Sequence, residues 1–199
     1  MKVTIPFLVA QRLVLRTFSR AEAPALQQLA GQREIADTMI SLPYPYPNGE
    51  AERMIEQFTD DFRAGRATPF AIVLREANQL IGATTLRDID REHAQAELSL
   101  WITPSYWRQG YVTEAAGTMV RFGFEQLRLN RIYAHHLTRN PASGRVLEKA
   151  GFQREGLLRQ RVRKWGVFED VALLSVLRQE WTARRGGIKT AADADSGDK

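Results

Sequence analysis

The fold of this chain is decided by one stretch, Trp107-Arg108-Gln109-Gly110-Tyr111-Val112-Thr113-Glu114-Ala115. Ahead of it, residues 96–102 alternate between two faces, as in a strand. One face carries Ala96, Leu98, Leu100 and Ile102, and the other carries Glu97, Ser99 and Trp101. Behind it, apolar residues recur at helical spacing over residues 112–127. The sequence therefore predicts a strand, a short loop that contains glycine, and an amphipathic helix.

A loop that leads directly into a helix leaves several backbone N–H groups without partners, and the positive end of the helix dipole lies behind them. Such a place binds phosphate. Gly110 lets the backbone approach a ligand without a Cβ in the way, and Arg108 adds positive charge at the rim. Taken alone, a glycine between a strand and a helix is more often only a turn.

The composition describes one globular domain, because 44% of the 199 residues are hydrophobic and 26% are charged. No apolar run approaches the roughly 18 residues that span a bilayer. The first residues also lack the pattern of a secretory signal. We therefore expect neither membrane insertion nor secretion, and a cytoplasmic location.

The absence of cysteine excludes disulfides, thiolate metal sites and an enzyme-bound thioester. The three histidines, His93, His135 and His136, lack the spacing of metal ligands, and the adjacent pair is expected to face opposite sides of a strand. We expect no metal. The formal net charge of +5 favours anionic partners but is too diffuse to indicate nucleic acid.

Upstream of residue 107, predicted helices and strands alternate. A strand over residues 13–16 is followed by Ser19 and Glu22, which form the pattern of a capping box before a helix. Helical spacing predicts a further helix from Glu50 to Arg63. Three strands then follow as an antiparallel meander, over residues 70–74, 79–86 and 96–102, with a polar tip at residues 88–93.

Residues 39–49 contain three prolines at alternate positions, which excludes a helix or a central strand. The segment is therefore predicted to be an extended loop that carries Tyr44 and Tyr46. It is either a packed connector or one wall of a substrate pocket, since loops carry sites and aromatic side chains bind well.

Downstream, residues 131–138 form a predicted strand that leads into a second helix. Asn140 stands at the N-cap, Pro141 at the first helical position and Gly151 at the end. The remaining chain is predicted to be a hairpin of residues 152–162 and 167–177, and from Ala183 to Lys199 a disordered tail. The domain is accordingly expected to span residues 1–182.

Together these residues resemble the GNAT superfamily of N-acetyltransferases, and within it the branch of the ribosomal-protein N-terminal acetyltransferases. Four features carry the resemblance: residues 12–16 as the opening strand, 107–115 as the acetyl-CoA pyrophosphate loop, 140–143 with 147–152 as the helix after the fifth strand, and 155–170 with Trp181 as the closing hairpin. The resemblance implies an α+β fold. Its central, mostly antiparallel twisted sheet has about seven strands, splayed between strands 4 and 5 and flanked by about four helices.

The resemblance implies acetyl-CoA as co-substrate, with the pyrophosphate on the loop and the pantetheine arm on backbone groups near the end of the preceding strand. The residues implied for this are Ile102, Thr103, Arg108, Gln109, Gly110, Tyr111, Val112, Thr113, Asn140 and Ser143. The superfamily loop reads Gln/Arg-x-x-Gly-x-Gly/Ala, and here Trp107 and Val112 replace its first and last residues. Backbone groups make the phosphate contacts, so Trp107 is compatible with binding, whereas the branched Val112 is expected to narrow the loop.

The resemblance also implies direct attack of an amine on the thioester in one ternary complex, where positioning supplies much of the acceleration. Glu97, shielded by Trp101, is the candidate general base, acting directly or through water; the alternative is a solvated or salt-bridged strand glutamate. Ser143 is the candidate acid for the leaving thiolate, with Tyr133 as the second choice. Asn140 either binds the pantetheine arm or acts only as the helix cap.

For the acceptor, the branch implies a protein N-terminal α-amine, such as that of a ribosomal protein, with Tyr44 and Tyr46 on the acceptor side. Related folds also acetylate polyamines, antibiotics or amino acids, and the fold does not choose among them. A third hypothesis is a basic adaptor that binds acyl-CoA or nucleic acid without catalysis. The scattered basic residues argue against direct nucleic-acid binding. The predicted hairpin edge is compatible with a homodimer.

Overall fold

An eight-stranded sheet between two layers of helices is the framework of the computed structural model, which describes residues 6–189. The strands are β1 (Leu8–Val9), β2 (Leu13–Arg16), β3 (Thr68–Leu74), β4 (Gln79–Asp90), β5 (Gln95–Ile102), β6 (Arg131–Leu137), β7 (Gln153–Lys164) and β8 (Val167–Leu177). The helices are α1 (Ala23–Ala30), α2 (Arg33–Thr38), α3 (Glu50–Arg63), α4 (Tyr111–Glu125), α5 (Pro141–Lys149) and α6 (Arg178–Lys189).

The strands lie in the order β1-β2-β3-β4-β5-β6-β8-β7, and every neighbouring pair is antiparallel except β5 and β6. The predicted mostly antiparallel α+β sheet is therefore confirmed. The eighth strand is β1, a two-residue strand paired with β2. When β1 is set aside, the fourth and fifth strands are β5 and β6. Their pairing ends at Glu97 and Tyr133, so the predicted splay opens from that point.

The sheet separates two hydrophobic cores, and β5 contributes to both. Leu98 and Ile102 are buried in the core that packs against α4 and α5. Trp101 is buried on the other face, in the core beneath α1, α2 and α3. This division confirms the alternation read from the sequence. Two helices exceed the expected four, the six-residue α2 and the C-terminal α6.

Two boundaries differ from the sequence prediction. Strand β4 continues to Asp90 instead of ending near Leu86, because Arg87 pairs across the hairpin with Glu97. The tail predicted from Ala183 is helical up to Lys189, in continuation of a helix whose Trp181 packs on Phe124. Residues 190–199, where the rest of that prediction falls, lie outside the described residues.

No helix in the described part of the chain is long and apolar enough to cross a membrane.

Candidate active site

The entry into α4 gathers backbone N–H groups at one place. Arg108 (φ 61°) and Gly110 (φ 83°) are both left-handed, so the chain turns sharply into the helix. The first helical hydrogen bond runs from the Glu114 N–H to the Gly110 carbonyl (3.0 Å), and the N–H groups before it have no acceptor within the helix. They belong to Tyr111, Val112 and Thr113. Three such N–H groups, with the positive end of the helix dipole behind them, suit the negative charge of a diphosphate.

The two residues that depart from the superfamily loop both have structural roles. The Trp107 indole Nε1 donates to the Ile102 carbonyl at 2.7 Å, which ties the loop to the end of β5. Val112 is partly buried, and its side chain packs against the core. The Val112 side chain is thus directed toward the core, and this packing does not support the expected narrowing of the loop.

Arg12 also shapes this loop, although the sequence assigned it only to the opening strand. Its Nη1 donates to the Gln109 carbonyl at 2.9 Å, and its guanidinium lies 4.2 Å from the centroid of the Tyr111 ring. Its Nε forms an ion pair with Glu114 in the first turn of α4. The turn between β1 and β2 therefore fixes the loop from outside.

The two residues predicted to hold the pantetheine arm already have partners within the chain. The Ile102 carbonyl accepts the Trp107 indole, and the Thr103 N–H donates to the Ile81 carbonyl of β4 at 2.8 Å. The Thr103 hydroxyl bonds to Gln32 Oε1 at 3.0 Å. Of the predicted backbone groups, the Ile102 N–H remains as a candidate.

The edge of β5 that faces the splay offers other backbone groups. The backbone N–H and carbonyl groups of odd-numbered residues in β5 point toward β4, as the hydrogen bond from the Thr103 N–H, just after the strand, to the Ile81 carbonyl shows. On the opposite edge, toward β6, the Ala94 carbonyl accepts the Asn130 N–H. Because hydrogen-bonding direction alternates along a strand, the Leu98 carbonyl and both backbone groups of Leu100 face the gap. These groups lie beyond the last paired residue, Glu97, and both residues line the cleft described below.

Three ionisable side chains meet where β5 and β6 part. Glu97 is 8% exposed, and its two carboxylate oxygens accept Arg87 Nε and Nη2, each at 3.0 Å. His135 Nδ1 lies 3.1 Å from Glu97 Oε1. Burial alone raises the pKa of the Glu97 carboxyl, but the hydrogen bonds from His135 and Arg87 outweigh it and hold that pKa below its ordinary value. Glu97 is therefore an ion-paired carboxylate in this structure.

The two candidate catalytic residues line the same cleft. Glu97 and Ser143 share it with His135 and with a wall formed by residues 38–41. Ser143 is brought there by the first turn of α5, whose N-cap, Asn140, accepts the Ser143 N–H at 3.2 Å. Of the two alternatives for Asn140, the structure shows the helix cap.

Adjacent side chains of β6 lie on opposite faces of the sheet, as the alternation predicts. His135 faces the cleft, whereas His136 lies beneath α5, against Gly144. Tyr133, the second candidate acid, stacks edge-on against His135 with ring centroids 5.7 Å apart. Burial and then the charge of Glu97 raise the pKa of the Tyr133 phenol. Tyr133 lies beside the cleft and is not part of the lining.

A second cavity adjoins the first and shares Met39, Ser41, Arg87 and Ser99 with it. Its remaining walls are mainly apolar side chains from the loop after α2, from α3, from β4 and from β5. They include Leu42, Met54, Phe58, Ala83 and Trp101. The first cleft opens into this apolar chamber, which lies on the side of the sheet covered by α3.

The two tyrosines predicted for substrate binding lie elsewhere. Tyr46 is buried in the core beneath α3, with its hydroxyl 3.9 Å from the Met54 sulfur. Tyr44 is exposed and packs edge-on against Trp165 at the tip of the β7–β8 hairpin. Neither side chain lines the two cavities, so the loop contributes to the site through Met39, Ser41 and Leu42 instead.

The β7–β8 hairpin holds this loop in place. Lys164 is buried, and its Nζ donates to the carbonyls of Met39 (2.6 Å) and Leu42 (3.0 Å). Arg139 adds a second link, because it pairs with Asp37 at 2.9 Å and with Glu169 at 2.8 Å. One wall of the cleft is therefore set by residues about 100 or more positions away in sequence.

Sequence reasoning missed Arg12, Arg87, His135 and Lys164. For Arg87 a signal existed, since counting back from the hairpin tip places it opposite Glu97 as an opposite-charge cross-strand pair. For His135, the alternation predicted which face of the strand carries the side chain but not its partner. For Arg12 and Lys164, no local pattern indicates the partner.

The comparisons with known proteins agree with this geometry. Residues 12–153 match the family model described as the acetyltransferase (GNAT) domain. The uncharacterized N-acetyltransferase p20 of Bacillus licheniformis is 32% identical over 174 residues, which cover 87% of this chain and 97% of that protein.

Two solved structures, both from Vibrio cholerae, illustrate the range of similar proteins. A putative ribosomal-protein-serine acetyltransferase superimposes with a TM-score of 0.73 at 26% identity, over 88% of this chain and 99% of the other. A spermidine N-acetyltransferase in complex with CoA and spermine has a TM-score of 0.76 at 23% identity, over 86% and 98% of the two chains, which shows a shared fold.

The diphosphate-sized cluster of N–H groups at α4, the splayed strands and the adjoining cleft are what acetyl-CoA and an amine require. This chain belongs to the GNAT family and is an acetyl-CoA-dependent N-acetyltransferase.

Proposed function

We propose that the acceptor is the N-terminal α-amine of a protein, of the kind that ribosomal-protein acetyltransferases use, and that its first side chain is apolar. One observation carries the choice of a monoamine over a polyamine. Among the described residues that line the two cavities, the carboxylates are Glu97 and Asp61, and both are already paired with arginines.

The pairing leaves little negative charge for a second ammonium group. Arg87 holds Glu97 through both oxygens, and Arg66 donates to Asp61 Oδ1 at 2.9 Å and 2.6 Å. Arg87 also lines both cavities and adds a positive charge between them. A polyamine places several ammonium groups in its binding site and needs a carboxylate for each one that is buried. An α-amine brings a single charge.

The apolar chamber supports the second part of the proposal. Met54 and Phe58 on α3 face Trp101 on β5 across it, close to the cleft that holds Ser143. An amine that enters the cleft would place the atoms next to its α-carbon in this chamber. Burying an apolar side chain there contributes about 1.5–3 kcal/mol to acceptor binding.

The remaining roles follow from position. When bound, acetyl-CoA supplies a thioester whose carbonyl carbon is open to attack by an amine. We propose that the N–H groups at the start of α4 bind its diphosphate and that the β5 edge at Leu98 and Leu100 holds the pantetheine arm. Glu97 takes part in removing the amine proton, and the Ser143 hydroxyl donates a proton to the leaving thiolate.

The test compares three acceptors at equal concentration with the purified protein and acetyl-CoA: a peptide that begins with Met, the same peptide with a blocked α-amine and an internal lysine, and spermidine. We expect kcat/KM for the free peptide to exceed the other two at least tenfold. Preference for spermidine, or equal use of the blocked peptide, would overturn the proposal.

A matched pair of variants locates the acceptor. Met54→Lys puts a charge into the apolar chamber, whereas Gln57→Lys adds the same charge to the exposed face of the same helix. We expect Met54→Lys to raise the KM for the Met peptide at least tenfold without changing the Kd for acetyl-CoA. Gln57→Lys should change neither constant. Equal effects of the two variants would remove the chamber from acceptor binding.

A further inference from the structure

We propose that His135 is the general base that takes the proton from the acceptor amine, and that Glu97 is the residue that positions it. The arrangement that carries this inference is the contact of His135 Nδ1 with the Glu97 carboxylate, in the wall of the cleft that also holds Ser143. The inference rests on acetyl transfer itself and holds whichever amine is the acceptor.

Glu97 is poorly suited to accept the proton itself. Its carboxylate already accepts three hydrogen bonds, two from Arg87 and one from His135. Protonation would break the bidentate pair with Arg87 and leave a partly buried guanidinium without its partner, which is costly. The lowered pKa of Glu97 points the same way, because a weaker base drives proton transfer from an ammonium less effectively.

His135 offers a second ring nitrogen, Nε2, whereas every hydrogen bond to Glu97 comes from a cationic or imidazole donor that its ionised form keeps in place. A carboxylate at Nδ1 favours the tautomer in which Nδ1 carries the hydrogen and donates it, so the acceptor lone pair is at Nε2. The His135 side chain is 23% exposed, so an amine can reach it from the cleft. Histidine is also the side chain that most often exchanges protons near neutral pH.

The charged groups around His135 come from three strands. Glu97 lies on β5, Arg87 on β4, and Tyr133 packs against the imidazole from β6. The segment of residues 38–41 that closes the cleft brings no ionisable side chain into the lining, and α5 brings the hydroxyl of Ser143. The Glu97 charge stabilises the imidazolium that forms, and Arg87 keeps Glu97 ionised and in place.

The acceptor ammonium gives one proton to His135 Nε2 and becomes a neutral amine. The amine nitrogen then forms the C–N bond to the acetyl carbonyl carbon while the C–S bond breaks, and the thiolate leaves with the electron pair. The thiolate takes a proton from Ser143 or water, and that oxygen regains a proton from the cationic amide nitrogen, which keeps one hydrogen. The imidazolium returns its proton to solvent after the product leaves.

Two substitutions separate the roles of the two ring nitrogens. His135→Asn keeps a donor near the Nδ1 position and removes the Nε2 base, and His135→Gln places a non-ionisable amide near the Nε2 position. With the fastest acceptor found above, we expect both variants to lose at least about 100-fold in kcat/KM at neutral pH. The loss should shrink as the pH rises and the amine becomes free base, while the Kd for acetyl-CoA stays unchanged.

Two further variants serve as controls. His136→Asn changes the adjacent histidine, which faces α5, and should leave the pH–rate profile unchanged. Glu97→Gln should lower kcat/KM but keep the pH-dependent limb that His135→Asn loses. A wild-type profile in His135→Asn, together with a flat profile in Glu97→Gln, would assign the base to Glu97 and overturn the inference.

One measurement needs neither an acceptor nor a variant, so its result does not depend on whether the variants fold. Nitrogen-15 NMR of the wild-type protein reports which imidazole nitrogen carries hydrogen. At pH 8 we expect Nδ1 of His135 to be protonated and Nε2 to be free. The opposite tautomer would leave no lone pair directed into the cleft and would exclude His135 as the base.

Discussion

Arg12 holds the carboxylate of Glu114 with two donors, its backbone N–H at 2.6 Å and its Nε at 2.8 Å, across 102 residues of sequence. Glu114 lies in the first turn of α4, a few residues from the N–H groups that suit a diphosphate. Without Arg12, a free negative charge would stand beside an anionic ligand. The contact therefore fixes the loop and neutralises a charge that opposes binding.

The first prediction concerns this charge. Arg12→Met should raise the Kd for acetyl-CoA about tenfold at low salt, since it leaves the charge of Glu114 without a counter-ion and removes a cation from the rim. Glu114→Gln combined with Arg12→Met should recover part of the loss. Calorimetric titration at two salt concentrations measures both effects. Equal affinities for the wild type and Arg12→Met would show that the pair is only structural.

The second prediction concerns two glycines near the start of α4. Gly110 has a φ of 83°, and a Cβ there would lie 3.3 Å from Arg12 Nη2. Gly110→Ala should therefore lower the free energy of unfolding by about 1–2 kcal/mol and weaken acetyl-CoA binding. Gly117 lies inside α4 with open space around a Cβ, so Gly117→Ala should stabilise by about 0.5–1 kcal/mol.

Urea denaturation and calorimetric titration of both glycine variants test this contrast. If Gly110→Ala and Gly117→Ala changed the free energy of unfolding in the same direction, the left-handed turn would not be the reason that position 110 requires glycine. Unchanged acetyl-CoA affinity in Gly110→Ala would remove the turn from ligand binding.

The third prediction concerns the buried amine that holds the cleft wall. Lys164→Met should leave the carbonyls of Met39 and Leu42 without their donor, at a cost of about 1–3 kcal/mol in unfolding free energy. Because this loop lines the acceptor cavity, the KM for the amine should rise more than the Kd for acetyl-CoA.

Arg161 is an exposed residue of the same strand, so Arg161→Met is the matched control for Lys164→Met and should change neither constant. Steady-state kinetics with the preferred acceptor and chemical denaturation measure the two effects. An unchanged KM for the amine in Lys164→Met would show that the loop keeps its position without the clamp.

The fourth prediction concerns pH. The hydrogen bond from Arg131, opposed by burial and supported by a hydrogen bond from Ser175, lowers the pKa of Glu155 to about 2 from an ordinary 4.5. Since the folded-state pKa is depressed, the contribution to stability is fully present above pH 4.5 and is lost as the pH falls toward 2. The Glu155 side chain is 36% exposed, so screening reduces the contribution to about 1 kcal/mol.

Glu155→Gln should therefore destabilise the protein at pH 7, have less effect as the pH falls below 4.5, and have little effect near pH 2. Denaturant unfolding at several pH values measures the difference. The exposed Glu76, mutated to Gln, is the control and should show no such dependence. A loss of stability in Glu155→Gln that is equal at both pH values would contradict the ion-pair explanation.

Much of the fold was predictable because it depends on local patterns. The bounds of α3 at Glu50 and Arg63, the capping box of Ser19 with Glu22, and the Asn140 cap of α5 all follow from spacing within a few residues. The alternation of β5 gave its two buried faces, and the glycine before α4 gave the loop. Each signal lies in one short segment, so no distant contact could alter it.

Only half of the candidate site was predictable, because only half of it depends on such local patterns. Glu97 and Ser143 were named, and they line one cleft. The assignment of Tyr44 and Tyr46 to the pocket came from their residue type alone, and the loop turned one of them into the core and the other toward the hairpin. A loop shows its composition in sequence but not which of its side chains face inward.

By itself, then, the sequence determined the order of strands β2 to β8 and of the helices α1, α3, α4 and α5, the loop before α4 and the faces of β5 and β6. Only the tertiary structure decided the partners of its charges: Arg12 with Glu114, His135 and Arg87 with Glu97, and Lys164 with the loop after α2. The physical reason is range. Periodicity and capping act over one or two turns, whereas these contacts join segments between 10 and 125 residues apart, which only the packed sheet brings together.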